Sequence, residues 1–67
     1  MKIRTIQEQL KIVEELVDQV APIYHTIAVH DGRDNMVYVV NRLTKKHVYI
    51  NRSETPMSIV KKLRRII

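Results

Sequence analysis

Cysteine, tryptophan and phenylalanine are absent from this sequence of 67 residues, and glycine occurs once. Without cysteine there is no disulfide and no thiolate metal site. Two of the usual supports of very small domains are therefore missing. A domain of this size buries only about 60% of the surface that its unfolded chain exposes. Tight packing or association with a partner is left to stabilise it. Long apolar runs are missing as well: none approaches the roughly 20 residues that a membrane-crossing helix needs. The start, MKIRTIQEQL, has no unbroken apolar stretch of the signal-peptide kind. Together with the reducing environment that cysteine-free chains tolerate, this leads us to expect one soluble, cytoplasmic domain over residues 1–67.

Motifs of catalysis are missing too. The sequence has no glycine-rich phosphate loop, nucleophile elbow or paired catalytic acids. A non-enzymatic protein without cofactors is expected. A ribonuclease working with His, Lys and Tyr alone stays as a distant third reading, because spacing would not reveal it.

What the chain does have is uneven charge. The net charge is +5. Residues 1–20 hold Lys2, Arg4 and Lys11 against Glu8, Glu14, Glu15 and Asp18, whereas residues 33–67 set nine cations against Asp34 and Glu54. The first helix is expected to be acidic and the second half basic. The nine cations are Arg33, Arg42, Lys45, Lys46, Arg52, Lys61, Lys62, Arg64 and Arg65. They are the candidate contacts to the phosphates of a nucleic acid, DNA or RNA. Lys61, Lys62, Arg64 and Arg65 have no acid three or four residues away to pair with on their own helix. Either the acidic face of the first helix or phosphate would offset them.

Ile3, Ile6, Leu10, Val13, Val17 and Val20 recur at spacings of three and four, which predicts a helix over 5–20. Thr5 and Glu8 form a T-x-x-E capping box, and Ala21-Pro22 ends the helix. Residues 23–30, 36–42 and 47–52 are rich in Ile, Val, Tyr and Thr and predict three strands. DGRDN and LTKK are the turns between them. Thr55-Pro56 then opens a helix over 56–66, with threonine as cap and proline in the first turn.

A five-residue first loop would set His30 opposite Met36 and Val29 opposite Val37. The second turn would set Val39 opposite Ile50 and Asn41 opposite Val48. Both choices put Ile23, Ile27, Val29, Val37, Val39, Val48 and Ile50 on one face. The expected fold is α+β: a two-layer sandwich, α-β-β-β-α, with a three-stranded antiparallel meander and both helices on one face. The same order of elements occurs in double-stranded-RNA-binding domains and in small toxins neutralised by antitoxins. The likeness is one of layout, since the GxG-SKK-like helix start of the former and the Gly-Ser-His strand start of the latter are absent.

The uncovered sheet face would then display Tyr24, Thr26, Ala28 and His30, then Met36, Tyr38, Val40 and Arg42, then His47, Tyr49 and Asn51, with Tyr24, Met36, Tyr38, Val40 and Tyr49 as the candidate partner or stacking patch. Tyrosine fills exposed strand positions readily, so the patch has a bland reading. As a partner face it would join two copies in a homodimer or dock another protein. As a stacking face it would hold bases. The homodimer ranks first among uses of this face, because covering apolar area needs no motif. For the whole protein, nucleic-acid binding through the basic half leads, and a protein-interaction module or inhibitor follows. Three histidines do not predict a metal site: the expected register sets His30 and His47 ~20 Å apart along the central strand, and His25 points to the other face.

Overall fold

The computed structural model describes residues 3–67. Its elements run α1 (Ile6–Val20), β1 (Ile27–Asp31), a short 3-10 turn (Arg33–Asn35), β2 (Val37–Asn41), β3 (His47–Ile50) and α2 (Pro56–Ile66). The sheet is antiparallel in the order β1-β2-β3. α1 packs on β1 and β2, α2 packs on β3 and β2, and the two helices pack on each other. This is the α-β-β-β-α meander that the periodicities predict.

Both helix starts form as their residues dictate. The Thr5 hydroxyl accepts from the Glu8 N–H at 3.2 Å, and Glu8 Oε1 accepts from the Thr5 N–H at 2.9 Å. Two amides that no helical carbonyl can reach are thus satisfied. Thr55 accepts from the Ser58 N–H at 3.3 Å, and Pro56 occupies the first turn, where it forfeits no helical hydrogen bond. Ala21 leaves α1 in an extended conformation, as a residue before proline must.

Val13, Val17, Val37, Val39, Ile50, Ile59, Leu63 and Ile66 form the buried core. α1 turns a slightly different edge inward than its apolar stripe suggests. The line Gln9–Val13–Val17 is buried, whereas Ile6, Leu10, Leu16 and Val20 are only partly so. Gln9 is fully buried yet satisfied: its Nε2 donates to the Asn51 and Glu54 carbonyls, and its Oε1 accepts from Arg4. The amide thereby pins α1 to the β3–α2 connection.

Several sequence expectations are corrected. β1 begins at Ile27, and Ile23 and Tyr24 lie in a turn, 91% and 96% exposed. Ile23 is thus no part of the core. The pairing differs in both hairpins. Val29 faces Val39 and His30 faces Tyr38 in the first, while Val37 faces Ile50 and Tyr38 faces Tyr49 in the second. Each expected register is displaced by two residues, and a two-residue slip returns every side chain to its original face. Val37, Val39, Asn41 and Ile50 point inward, and Tyr38, Val40 and Tyr49 point outward, as expected.

The turns explain the slips. Gly32 and Met36 pair at 2.8 Å, which leaves only Arg33–Asn35 in the first loop. The left-handed conformations there fall on Asp34 (φ 57°) and Asn35 (φ 58°), not on the glycine. Gly32 is needed for room: a Cβ on it would lie 2.9 Å from the Met36 carbonyl oxygen and 3.1 Å from Tyr38 Cβ. In the second hairpin Asn41 pairs with Lys46, and Lys45 takes the left-handed position at φ 67°.

Candidate functional site

The face of the sheet opposite the helices carries a cluster of four rings. The register sets His30, Tyr38 and Tyr49 in one row across the three strands. Tyr38 is its centre, with ring centroids 6.3 Å from His30, 5.2 Å from Tyr49 and 5.7 Å from His47. His47 meets Tyr49 edge-on at 5.9 Å. Tyr49 is 46% exposed and Tyr38 half-buried beneath its neighbours. Val40 sits between Ala28 and His47 in the next row, and Met36 precedes β2 at the far end.

Tyr24 does not belong to this face. It lies in the turn before β1, beside Leu43 and Ile67 at one end of the molecule. His30 and His47 were both expected on this face, but the expected register held them far apart and so concealed their contacts with Tyr38. Direct pairing of His30 with Tyr38, and the placement of His47 one row on, brings both against the same tyrosine. His25 lies elsewhere: its Nε2 is 3.7 Å from Asp18, and its Nδ1 accepts from the Ile27 N–H.

Beside β3 the cations converge. Lys45, Lys46 and Arg65 line an open groove of about 490 Å³, together with Thr44, His47, Val48 and Ile66. Among the described residues, no aspartate or glutamate lines it. The groove lies between the β2–β3 loop and the last turn of α2, and Asn41 holds these two walls together. Its Nδ2 donates to the Ile66 carbonyl at 2.6 Å, and its Oδ1 accepts from the Leu43 N–H at 3.0 Å and from the Thr26 hydroxyl at 2.7 Å. The C-terminus of α2 offers about half an elementary negative charge.

The other expected phosphate contacts are scattered. Arg33 lies in the first hairpin loop and Arg52 after β3, both at the opposite end of the sheet from the groove. Arg42 has left the strand and is exposed in the second loop, its N–H donating to the Thr26 carbonyl. Lys61 and Arg64 are exposed on α2. Lys62 is engaged within the fold, donating to the Tyr49 carbonyl at 2.8 Å and to Glu54 at 2.5 Å. Its partner is an acid just before the helix, which a search at helical spacing misses. Among the described residues, Glu14, Glu15 and Asp18 of α1 make no salt bridge to α2. Glu14 and Asp18 instead line a separate cleft beside β1 with His25. The molecule is bipolar across its sheet, acidic along β1 and basic along β3.

Burial pushes the Glu54 carboxyl up, but hydrogen bonds from Lys62, the Asn51 N–H and the Ser58 hydroxyl, with the charge of Lys62, outweigh it and hold the pKa below its ordinary value. A carboxyl lowered by folding contributes stability that is complete above its unfolded pKa and is lost as pH falls through the folded one. Glu54→Gln is therefore expected to cost about 2 kcal/mol at neutral pH, in line with charged hydrogen bonds. The gap between parent and variant in urea midpoint should shrink steadily below pH 4.5. A gap independent of pH would mean that the charge of Glu54 does not stabilise the fold.

Among the described residues, no group of three or more His, Asp and Glu side chains gathers as metal ligands would, and no helix is long and apolar enough to cross a membrane. No protein-family model, curated protein or solved structure matches this chain.

Proposed function

We propose that the protein binds nucleic acid without catalysing a reaction, and that Lys45, Lys46 and Arg65 hold the phosphates. The observation that carries this reading is the acid-free groove in which cations from a loop and a helix meet. Like charges brought together by folding repel, and a polyanion is the ligand that relieves them. Helix polarity accounts for Arg64 and Arg65 near the end of α2. It does not account for the two lysines, which sit on a different element.

Lys45 supports the same reading from the backbone. A left-handed residue with a Cβ costs on the order of 1–2 kcal/mol, and glycine or asparagine occupies such positions more easily. Here a lysine occupies it, and the left-handed turn places it on the groove wall. Exchanging it for glycine separates the two roles. Lys45→Gly should leave stability unchanged or raise it by up to ~1 kcal/mol, yet weaken binding.

The test measures affinity for labelled oligonucleotides against salt concentration. Each phosphate contact contributes about 0.7 to 0.9 to the logarithmic salt slope. Lys45→Gly, Lys46→Ala and Arg65→Ala together should flatten that slope by roughly 2. The Lys61→Ala, Arg64→Ala control, which removes cations outside the groove, should change it less. Equal losses from both sets would reduce the groove to one part of a diffuse positive surface. No binding by the parent would overturn the reading.

A further inference from the structure

We infer that the ligand is single-stranded nucleic acid, whose unpaired bases lie on the rings of the open sheet face while its phosphates lie in the adjoining groove. This inference rests on the phosphate reading of the groove. Its own observation is that His47 belongs to both places. The His47 ring centroid lies 5.7 Å from that of Tyr38 and 5.9 Å from that of Tyr49, and the residue also lines the groove with Lys45, Lys46 and Arg65. A chain whose phosphates follow the groove thus has ring surface within one residue's reach.

The physical requirement is on the nucleic acid. In a duplex the base faces are stacked on each other and closed to a protein surface. Only a strand with splayed bases can present them to His30, Tyr38, His47 and Tyr49. Tyr38, His47 and Tyr49 contact one another and His30 stacks on Tyr38, so the rings are already assembled before a ligand arrives, and the exposure of Tyr49 keeps ring surface available. Stacking is tolerant of sequence, because every base has a π-face. That suits a site whose other contacts are phosphates.

A second copy of the chain is the rival occupant of this face, and the structure favours it less than the sequence does. Tyr24 has left the patch, so the face is smaller than expected, and two of the four rings that remain are polar imidazoles. A two-fold pairing through it would also bring together two chains of net charge +5, each with an acid-free groove bordering the contact. Charge complementarity points to a polyanion instead.

The test uses fluorescence anisotropy at low salt with three probes: oligothymidylate and oligouridylate of about a dozen nucleotides, within the span of known single-strand sites, and a DNA hairpin duplex. Parent protein should prefer both single strands to the duplex. Tyr38→Leu and Tyr49→Leu keep apolar bulk and remove the ring. Each should weaken single-strand binding by roughly 5- to 100-fold and leave duplex binding as it was. A stronger grip on either the uridylate or the thymidylate supports the proposal alike, and oligodeoxyuridylate, which differs from oligouridylate in the sugar alone, then assigns the sugar. If duplex binds as well as single strands and the leucine variants match the parent, the groove reading stands and the stacking proposal falls. If the parent binds none of the three, both fall. Sedimentation that shows a parental dimer dissociated by the two leucine substitutions would identify the face as a self-interface and overturn the proposal.

Discussion

Val39→Asp is expected to unfold the protein, with loss of the helical circular-dichroism signal and of a cooperative thermal transition. Val39 is completely buried in the central strand, between Val29 and Val48 and beneath both helices. A carboxylate there has no hydrogen-bond donor to meet it, and burying it unpaired costs several kcal/mol at least. A domain of this length is stable by roughly 3–10 kcal/mol in total, so one such change consumes most of the margin. Tyr38→Asp is the control, one residue along the same strand but on the open face. It should leave the spectrum native. If both variants kept the parental spectrum and melting transition, or both lost them, the division of the sheet into a core face and an open face would be wrong.

That division was legible in the sequence because alternation along a strand has a period of two. Both hairpin registers were displaced by two residues from expectation, and the parity of each side chain survived the displacement. Registers depend on turn geometry, which residue type signals only weakly. Glycine in DGRDN marked the turn but not its left-handed positions, which fell to Asp34 and Asn35. Those residues tolerate that conformation because their short polar side chains can satisfy nearby backbone groups. Lys45 at φ 67° has no such signature at all.

The candidate site was legible in the same partial way. Tyr38, Val40 and Tyr49 were placed on the open face by parity alone. Tyr24 was misplaced because β-propensity carries a strand back to Pro22, whereas the chain turns first and exposes Ile23 and Tyr24. The histidine contacts depend on register and could not follow from sidedness. Lys45 and Lys46 meet Arg65 because the second loop folds toward the end of α2, a long-range contact without a local pattern. Gln9 had the one overlooked signal. It lies four and eight residues before Val13 and Val17, in line with the other two buried residues of its helix. Its polarity masked its place on that line.

Asn41→Ala is expected to cost about 3 kcal/mol of stability, more than a typical polar substitution. The side chain is only 7% exposed and makes contacts from both ends of its amide. Truncation leaves the Ile66 carbonyl, the Leu43 N–H and the Thr26 hydroxyl without their partner. Each buried group left unsatisfied costs about 1–3 kcal/mol, less where water reaches it. Asn41→Asp isolates the donor. It retains the acceptor toward Leu43 and Thr26 but sets a carboxylate oxygen against the Ile66 carbonyl, 2.6 Å away in the parent pair. The aspartate variant should therefore fare no better than alanine at neutral pH, although it is nearly isosteric. Because Asn41 joins the second loop to the end of α2, its loss should also separate the groove walls. Affinity for oligonucleotides would then fall under conditions where the variant remains folded, although no cation has been removed. Urea unfolding gives the stability, and amide exchange at Leu43 and Thr44 shows whether the loop has come free. A cost below about 1 kcal/mol with unchanged exchange would mean that water replaces the amide, and that the groove is held by the packing of Ile66 and Val48 alone.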